Sequence, residues 1–537
     1  MTVTLTLADG KIIGCTAEGK DETEGVGSTA IDQLPGAIAE SGSIAVDGVA
    51  GATVTSNAIK EAAAAALTAA GLNPDDYKTA VDNTAEPAED STVDADVVIV
   101  GAGGAGMTAA ITAANEGKSV VILESQAMVG GNSVRATGGM NAGKTVYQDE
   151  NEFGESAGVE KTLKTAAEKY ADNETITALA KTVSEQWAEY QKNPTGYFDS
   201  VELMELDTMI GGKGINNPEL VKTLCSNTAD SIVWLDSVGA SLTSVGAFGG
   251  ASVKRIHRPV NAEGKTLSVG AYIVPILEKN LQDAGVEIIL NTTVDTILTD
   301  ANGAACGVSG VANDGSKLTV NADAVILTTG GFGANEEMYC TYRPDLRGTV
   351  TTNAPGATGD GIVMAQAVGA DLVDIDQIQL HPTVEQATSM LITEGVRGDG
   401  AILVNQSGVR FVNELLTRDV VSAAELEQEG QYAYVIFDQN LREGLKATEK
   451  YIKNGIVTEG ATIEELAQKL GIDPAVLAKT LADWNDAVAA GEDKEFGRTT
   501  GMEHDLSKAP YYAIKVAPGI HHTMGGVKIN TNTQVID

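Results

Sequence analysis

The chain has 537 residues, 43% of them hydrophobic, with 60 glycines and only 4% aromatic residues; that length exceeds one ordinary core and predicts two or more globular domains. Its 36 basic against 74 acidic residues give a formal net charge of −38, which repels phosphate backbones and excludes nucleic acid as a partner. The four cysteines, Cys15, Cys225, Cys306 and Cys340, form no CxxC or CxxCH, which excludes a zinc ribbon, an iron–sulfur run and a c-type haem site and leaves them as core residues.

The chain opens on Val3–Leu7, which alternates polar and apolar residues, followed by Ala8-Asp9-Gly10-Lys11 as a turn, so the first element is a hairpin. The opening lacks the basic start, apolar run and cleavage site of a signal peptide. It reads as a strand already in progress, and a further segment upstream is expected. A loop-rich middle leads to a helix from Ser56 through an alanine run, with Ser56 as its cap and Gly71 as its stop. Residues 1–71 form a small α+β domain. Residues 72–93 are polar and acidic with two prolines, a composition that cannot bury a core and predicts a linker.

From Asp94 the pattern is strand, glycine-rich turn, helix and strand, which opens a parallel βαβ unit. Residues 151–235 are helical in pattern, and 286–329 alternate in short runs that end in the buried strand of ADAVILTTGG. A separate block begins near 376 and holds a helix pair in ATIEELAQKLGIDPAVLAKTLADWNDAVAAG. No stretch is long and apolar enough to span a bilayer. The expected fold class is α/β: a Rossmann-like domain over 94–375, an inserted α+β capping domain over 376–521, and a return to the first over 522–537.

Gly101, Gly103 and Gly106 form GxGxxG between the strand Val97–Val100 and a helix, with Gly104 and Ala105 inside the turn and Glu124 ending the next strand. The glycines let the backbone reach a pyrophosphate, the helix N-terminus faces its charge, and Glu124 takes ribose hydroxyls. Glu124 argues against a 2′-phosphate but leaves FAD and NAD both open. The continuation, SQAMVGGNSVRATGGMNAG, resembles the flavin-contacting loop of the succinate dehydrogenase/fumarate reductase flavoprotein family. That resemblance implies FAD contacts from Ser125, Gly130, Gly131, Asn132, Ser133, Thr137, Gly138 and Gly139. Members that attach FAD covalently use a histidine near this loop; none stands here, so non-covalent FAD is implied. Thr328-Thr329-Gly330-Gly331 resembles the family's second pyrophosphate-side element, with Thr328 and Gly330 as contacts, and Gly359-Asp360-Gly361 adds Asp360.

The stretch from Ile378 to Leu426 and PGIHHTMGGV near the end resemble the soluble fumarate reductases and their relatives that reduce other α,β-unsaturated carboxylates. Hydride attack on the alkene builds charge toward a carboxylate, so such a site needs cations and donors on the carboxylates and a proton for the other carbon. By resemblance, His381, Thr393 and Glu394 hold one carboxylate and His521 the second. Arg418 is the proton donor, Glu394 and Arg397 are its relay, and His522 touches the flavin. An arginine, with a pKa above about 12, serves as an acid only if each lost proton is replaced at once. His257, His504 and Arg410 are read as structural. Family members continue beyond the position of Asp537 with another FAD contact and an arginine for the second carboxylate, so a further C-terminal segment is expected.

Residues 47–56, Asp-Gly-Val-Ala-Gly-Ala-Thr-Val-Thr-Ser, resemble small FMN-binding domains whose threonine bears FMN through a phosphoester. The match falls on Thr53, with Ala50 where the family often has serine. Small residues there admit a flavin transferase, and the downstream helix offsets phosphate charge. The expected function is an FMN–FAD relay reducing fumarate to succinate. Its electron donor is quinol-linked, cytochrome or NADH-linked, and an extracytoplasmic site is favoured. The alternatives are another enoate (urocanate, acrylate or a cinnamate-like acid), succinate oxidation, an electron carrier without its own substrate, and a non-catalytic flavin-binding fragment.

Overall fold

The computed structural model describes residues 1–8, 11–19, 27–46, 53–78, 89–247, 251–262, 264–498 and 501–537. The chain divides into two compact units: Met1–Gly330 with Asp360–Asp371 and Val527–Asp537, and Gly331–Gly359 with Leu372–Gly526.

The first unit starts with an antiparallel hairpin of β1 (Thr2–Ala8) and β2 (Lys11–Glu18); the turn residues Asp9 and Gly10 lie outside the described residues. Helices α1 (Gly27–Ser41) and α2 (Thr53–Ala69) pack on this hairpin and bury Leu34, Ile38, Ile59, Ala63 and Leu67. The helix α2 begins at Thr53, so Ser56 is a buried residue of its first turn and not its cap. Gly71 does stop it, at φ +79°, a left-handed conformation that costs glycine little. The stretch expected as a linker is built into structure at both ends. Leu72 and Tyr77 pack on the small core, the Tyr77 carbonyl accepts from the Ile44 amide at 2.8 Å, and β3 already starts at Ser91. Residues 79–88 lie outside the described residues.

The strand β3 (Ser91–Val100), α3 (Gly104–Asn115) and β4 (Val120–Leu123) form the expected βαβ unit. A short strand β5 (Met140–Asn141) precedes α4 (Ser156–Lys169), α5 (Glu174–Lys192), α6 (Val201–Gly211) and α7 (Pro218–Ser237). Asn173, Ser200 and Asn217 cap the last three by accepting first-turn amides, which satisfies N–H groups the helix cannot. Then come β6 (Ser244–Gly246) and β7 (Ile256–Arg258), which join β5 in a small sheet, α8 (Val269–Asp283), and β8 (Glu287–Ile289), β9 (Thr292–Thr299), β10 (Ala305–Ala312) and β11 (Lys317–Leu327). The main sheet runs β8-β4-β3-β11-β10-β9. Its first four strands are parallel and β10 is antiparallel to both neighbours. Ile99 and Ile122 pack with Met107 of α3 and Leu277 of α8, while Val98, Val100 and Leu123 fill the opposite face. Burial on both faces explains the unbroken apolar run of Val97–Val100.

In the second unit, β12 (Leu372–Val373) leads to β13 (Ile378–Val384), β14 (Ile402–Val404), β15 (Ala433–Asp438), β16 (Thr458–Gly460) and β17 (Tyr511–Thr523). The sheet order is β13-β17-β15-β14, with β16 also on β17. The expected helix pair is Ile463–Leu470 and Pro474–Ala490, started by Thr462 and Asp473 and stopped by left-handed Gly471 and Gly491. Residues 331–359, expected with the Rossmann-like domain, group with this unit instead. Among the described residues no helix is long and apolar enough to cross a membrane.

Candidate active site

In the first unit, the turn after β3 is shaped for close backbone packing. Gly101 has φ +105°, and a Cβ there would stand 2.6 Å from the Thr328 carbonyl. A Cβ on Gly106 would overlap the Gly101 carbonyl, so both positions demand glycine. Gly103 at the start of α3 brings no capping side chain, so first-turn amides beyond Gly104 would be available to a bound pyrophosphate. Ser133 Oγ accepts the Gly104 amide at 3.0 Å, and the Gly130 amide donates to the Ala102 carbonyl at 2.8 Å. The 125–139 loop therefore lies along the GxGxxG turn. Buried Glu124 accepts the Ala102 amide on Oε2 (2.8 Å) and both the Gln126 amide (2.9 Å) and Ser125 Oγ (3.3 Å) on Oε1; Oε2 keeps a lone pair for a ribose hydroxyl. Thr328 Oγ1 donates to the Gly101 carbonyl at 2.8 Å, and Asp360 opens the helix Asp360–Ala367. These residues fit FAD. Thr53 is the first residue of α2; its side chain and residues 47–52 lie outside the described residues.

The second unit gathers the polar residues of both motif blocks. Gln379 and His381 are two apart on β13, and β13 pairs antiparallel with β17, where Gln379 faces His522. The register shifts between Gln379 and Leu380. This bulge frees adjacent strand residues from pointing to opposite faces, and the His521 and His522 rings lie 4.1 Å apart. His381 meets His521 edge-on at 5.3 Å. Arg418 begins the helix Arg418–Leu426, which packs against β13. Its Nε donates to Glu394 Oε1 at 2.7 Å and its Nη1 to Gln379 Oε1 at 2.8 Å. The same Glu394 oxygen is 3.8 Å from Arg397 Nη2 and 3.9 Å from His381 Nε2. Thr393 caps the short helix Glu394–Gly398, and its own amide donates to Tyr451 Oη at 2.9 Å.

The electrostatics divide these groups into charged and neutral sets. Burial opposes ionisation of Glu394, but the Arg418 hydrogen bond and the charges of Arg418 and Arg397 override it and hold the carboxyl below its ordinary range. Burial pushes His381 well below the ordinary histidine value, reinforced by Arg418, Arg397 and the two other rings. His521 falls to about 3 through burial, His522 and Arg418, and His522 is lowered by burial and Arg418. All three rings are therefore neutral. The Thr383 amide donates to His381 Nδ1 at 3.3 Å, which places the proton on Nε2, facing Glu394. His521 Nδ1 is held by Thr352 Oγ1 at 2.8 Å.

Sequence reading missed the support beneath this cluster. Arg397 Nη1 donates to the Glu414 carbonyl at 2.7 Å, and the Arg397 carbonyl accepts Arg498 Nη2 at 2.6 Å. Glu414, fully buried, takes Arg410 at 2.8 Å and Arg498 at 3.1 Å, while Arg410 also pairs with Asp493 at 3.0 Å. Arg410 is thus structural, as expected. So is His257, buried between Thr145 Oγ1 (2.7 Å) and the Arg255 carbonyl (2.8 Å); His504 is exposed and outside the site. Gln379 carried a signal, since it shares a strand face with His381 two residues on. Arg498 carried none, because it reaches Arg397 and Glu414 only through the fold.

Residues 96–198 and 191–537 match the FAD binding domain family, and residues 1–68 match the FMN-binding domain family. The chain is 40% identical over 442 residues to an NADH:fumarate oxidoreductase of Klebsiella pneumoniae (strain 342), a match covering 82% of this chain and 42% of that protein. It is 34% identical over 533 residues to a urocanate reductase of Eggerthella lenta, covering 96% of this chain and 79% of that one. Among solved structures it resembles the open conformation of a flavocytochrome c3 fumarate reductase, at 37% identity and a TM-score of 0.66, over 84% of this chain and 71% of the other. The chain thus spans less than half the length of the Klebsiella relative. By the reach of these matches, it belongs to the FAD-binding fumarate reductase flavoprotein family and carries an FMN-binding domain ahead of the FAD-binding one.

Proposed function

We propose that the chain reduces the carbon–carbon double bond of a small unsaturated carboxylate, fumarate to succinate, with electrons entering through the FMN-binding domain. The glycine turn, Glu124 and the 125–139 loop would hold FAD, which would supply the hydride. His381, through Nε2–H, and the Thr393 hydroxyl bind one carboxylate; His521 binds the other. Because the three rings are neutral, they act as directional donors, and Arg418 and Arg397 supply the positive charge that offsets the anion. Arg418 hands a proton to the carbon that did not take the hydride. Glu394 then passes a proton from Arg397 back to Arg418, which suits a donor that cannot remain deprotonated.

The observation that carries this reading is Arg418, fixed by both Glu394 and Gln379 beside three neutral histidines. A second carboxylate on the substrate is favoured by the two donor sets, His381 with Thr393 and His521. Urocanate, acrylate and cinnamate-like acids would use the same proton delivery. FMN is proposed to sit covalently on Thr53, placed there by a flavin transferase, and its donor is quinol-linked, cytochrome or NADH-linked.

The test is anaerobic oxidation of a reduced viologen dye by the full-length, flavin-loaded protein with fumarate, urocanate, acrylate or cinnamate, beside Arg418→Ala. Fast turnover with fumarate that collapses in the variant is the expected result. Turnover with another acid alone moves the substrate and keeps the chemistry. No turnover with any of them sinks the reductase reading and favours an electron carrier.

A further inference from the structure

Thr383 and Tyr451 have no chemical role in the reaction derived so far, yet both reach the residues proposed to hold the first carboxylate. Both are buried. Thr383 stands two residues after His381 on β13, and its amide donates to His381 Nδ1 at 3.3 Å. Its hydroxyl lies 2.9 Å from the Ile392 carbonyl and 3.5 Å from His381 Nδ1, so its one hydrogen goes to the carbonyl. Tyr451, on the helix Ala447–Lys453, works from the other side: its Oη accepts the Thr393 amide at 2.9 Å. The Ile392 carbonyl and the Thr393 amide belong to one peptide group, which is planar and stiff. Two side-chain hydroxyls therefore grip opposite edges of that plane, one donating and one accepting. Ile392 and Val396 sink into the same apolar cluster as the Tyr451 ring, which anchors the segment on either side of Thr393. Thr393 Oγ1 accepts the Gly395 amide at 3.4 Å, and its own hydrogen has no acceptor among the described residues.

We propose that Thr383 and Tyr451 are positioning residues: together they fix the Ile392–Thr393 peptide so that the Thr393 hydroxyl and His381 Nε2 close on one substrate carboxylate; this rests on the carboxylate-binding reading above. Thr383 serves both members of that pair. Its amide orients the His381 ring, and its hydroxyl holds the carbonyl that precedes Thr393. Tyr451 holds the same peptide by its N–H and so fixes the direction in which the Thr393 side chain leaves the backbone. Neither residue supplies a charge or a proton. Their contribution is to remove, before the substrate arrives, the freedom that two separate hydrogen-bond donors would otherwise lose on binding it.

The experiment measures steady-state KM and kcat of full-length, flavin-loaded protein, at matched flavin content, with the acid that it reduces. Tyr451→Phe removes one oxygen and keeps the ring in its cluster. Thr383→Val keeps the shape and loses the hydroxyl, whereas Thr383→Ser keeps the hydroxyl and loses a methyl group. Tyr451→Phe and Thr383→Val should each raise KM about fivefold, the scale of one hydrogen bond, with kcat within about twofold of the parent. Thr383→Ser should stay within about twofold in both constants. Because the grip acts through Thr393, Tyr451→Phe should raise KM less in a Thr393→Ala background than in the parent. A merely structural role gives the opposite pattern, since Thr383→Ser opens a cavity and would then be the worse of the two Thr383 variants. The proposal is overturned if Thr383→Ser raises KM more than Thr383→Val does, or if Tyr451→Phe leaves KM within about twofold of the parent. It is also overturned if the effect of Tyr451→Phe is the same with and without the Thr393 hydroxyl. A parent that reduces no acid sinks the reductase reading and this grip with it, whereas a working parent whose KM neither variant moves sinks the grip alone.

Discussion

Arg418 Nε and Glu394 Oε1 are 2.7 Å apart, and that single oxygen is also the one nearest to Arg397 Nη2 and His381 Nε2. One carboxylate oxygen thus joins the proposed donor to its proton supply and to the proposed carboxylate clamp.

Arg418→Lys should not rescue this arrangement. The guanidinium uses two different nitrogens, Nε to Glu394 and Nη1 to Gln379, and a lysine ammonium is a single compact point that lacks the planar fork. Turnover with the accepted enoate should fall about 100-fold, the scale of a lost general acid, with a much smaller change in KM. Steady-state kinetics with matched flavin content checks this; a variant within about fivefold of the parent would remove Arg418 as the proton donor.

Glu414→Gln should be a stability variant first. Its carboxylate is fully buried between Arg410 and Arg498, and neutralising it leaves two buried guanidinium groups short of charge. Breaking such a pair costs about 3–5 kcal/mol, to be read as a lowered midpoint in urea unfolding. The Glu414 carbonyl also holds Arg397, so the folded fraction should turn over more slowly per flavin. An unchanged unfolding midpoint would refute the cluster as a stabilising element.

The sequence disclosed those parts whose reasons are local. Gly101, Gly103 and Gly106 stand between a strand and a helix within one short window, and the late helix pair falls in one continuous stretch; the His381 and Arg418 blocks were legible through a family resemblance. The second unit's support is not local: Arg498 reaches the Arg397 carbonyl across roughly a hundred positions, and no window of sequence contains both. The start of α2 was placed at Ser56 because serine is a good cap, yet the helix begins at Thr53 and Ser56 is buried inside it. The grouping of 331–359 with the second unit follows from contacts with β17, where the Thr352 amide donates to the Ile520 carbonyl at 3.0 Å.

Gly101→Ala should lose FAD while Gly154→Ala, at an exposed position outside the site, keeps it. At Gly101 an added methyl meets the Thr328 carbonyl in a backbone conformation of φ +105°, whereas at Gly154 nothing lies within 4 Å of it. The strain at Gly101 is of order 1–3 kcal/mol and is concentrated at the turn that receives the pyrophosphate. Flavin absorbance per chain after desalting measures the outcome, and equal FAD retention by both variants would contradict it.

Thr53→Ala should remove the proposed phosphoester flavin and nothing else. After denaturation, the parent chain made alongside a flavin transferase should keep flavin fluorescence on the polypeptide, and the variant should release all of its flavin. Released FAD should be equal in the two. Fluorescence that stays on the Thr53→Ala chain would move the attachment to another residue.

The three neutral histidines predict acid sensitivity with a definite sign. Their folded pKa values lie below the ordinary 6.5, for His521 at about 3. Above pH 6.5 neither the folded nor the unfolded chain binds the extra proton, and stability is at its full value. As pH falls from 6.5 toward 3, the unfolded chain takes up protons at His521 that the folded chain refuses, so stability declines, by at most about 1.4 kcal/mol per pH unit for each such ring. Carboxylates held low, Glu394 among them, add to the loss at the acid end, so the wild-type slope alone does not isolate the histidines. His521→Gln does, because the amide can keep a hydrogen bond to Thr352 Oγ1 without titrating. Between pH 6.5 and about pH 4.5 the melting temperature of His521→Gln should therefore fall less than that of the parent, measured by differential scanning calorimetry in matched ionic strength. Equal losses in the two proteins would mean that His521 binds its proton in the folded state, and a charged ring would then face Arg418 in the site.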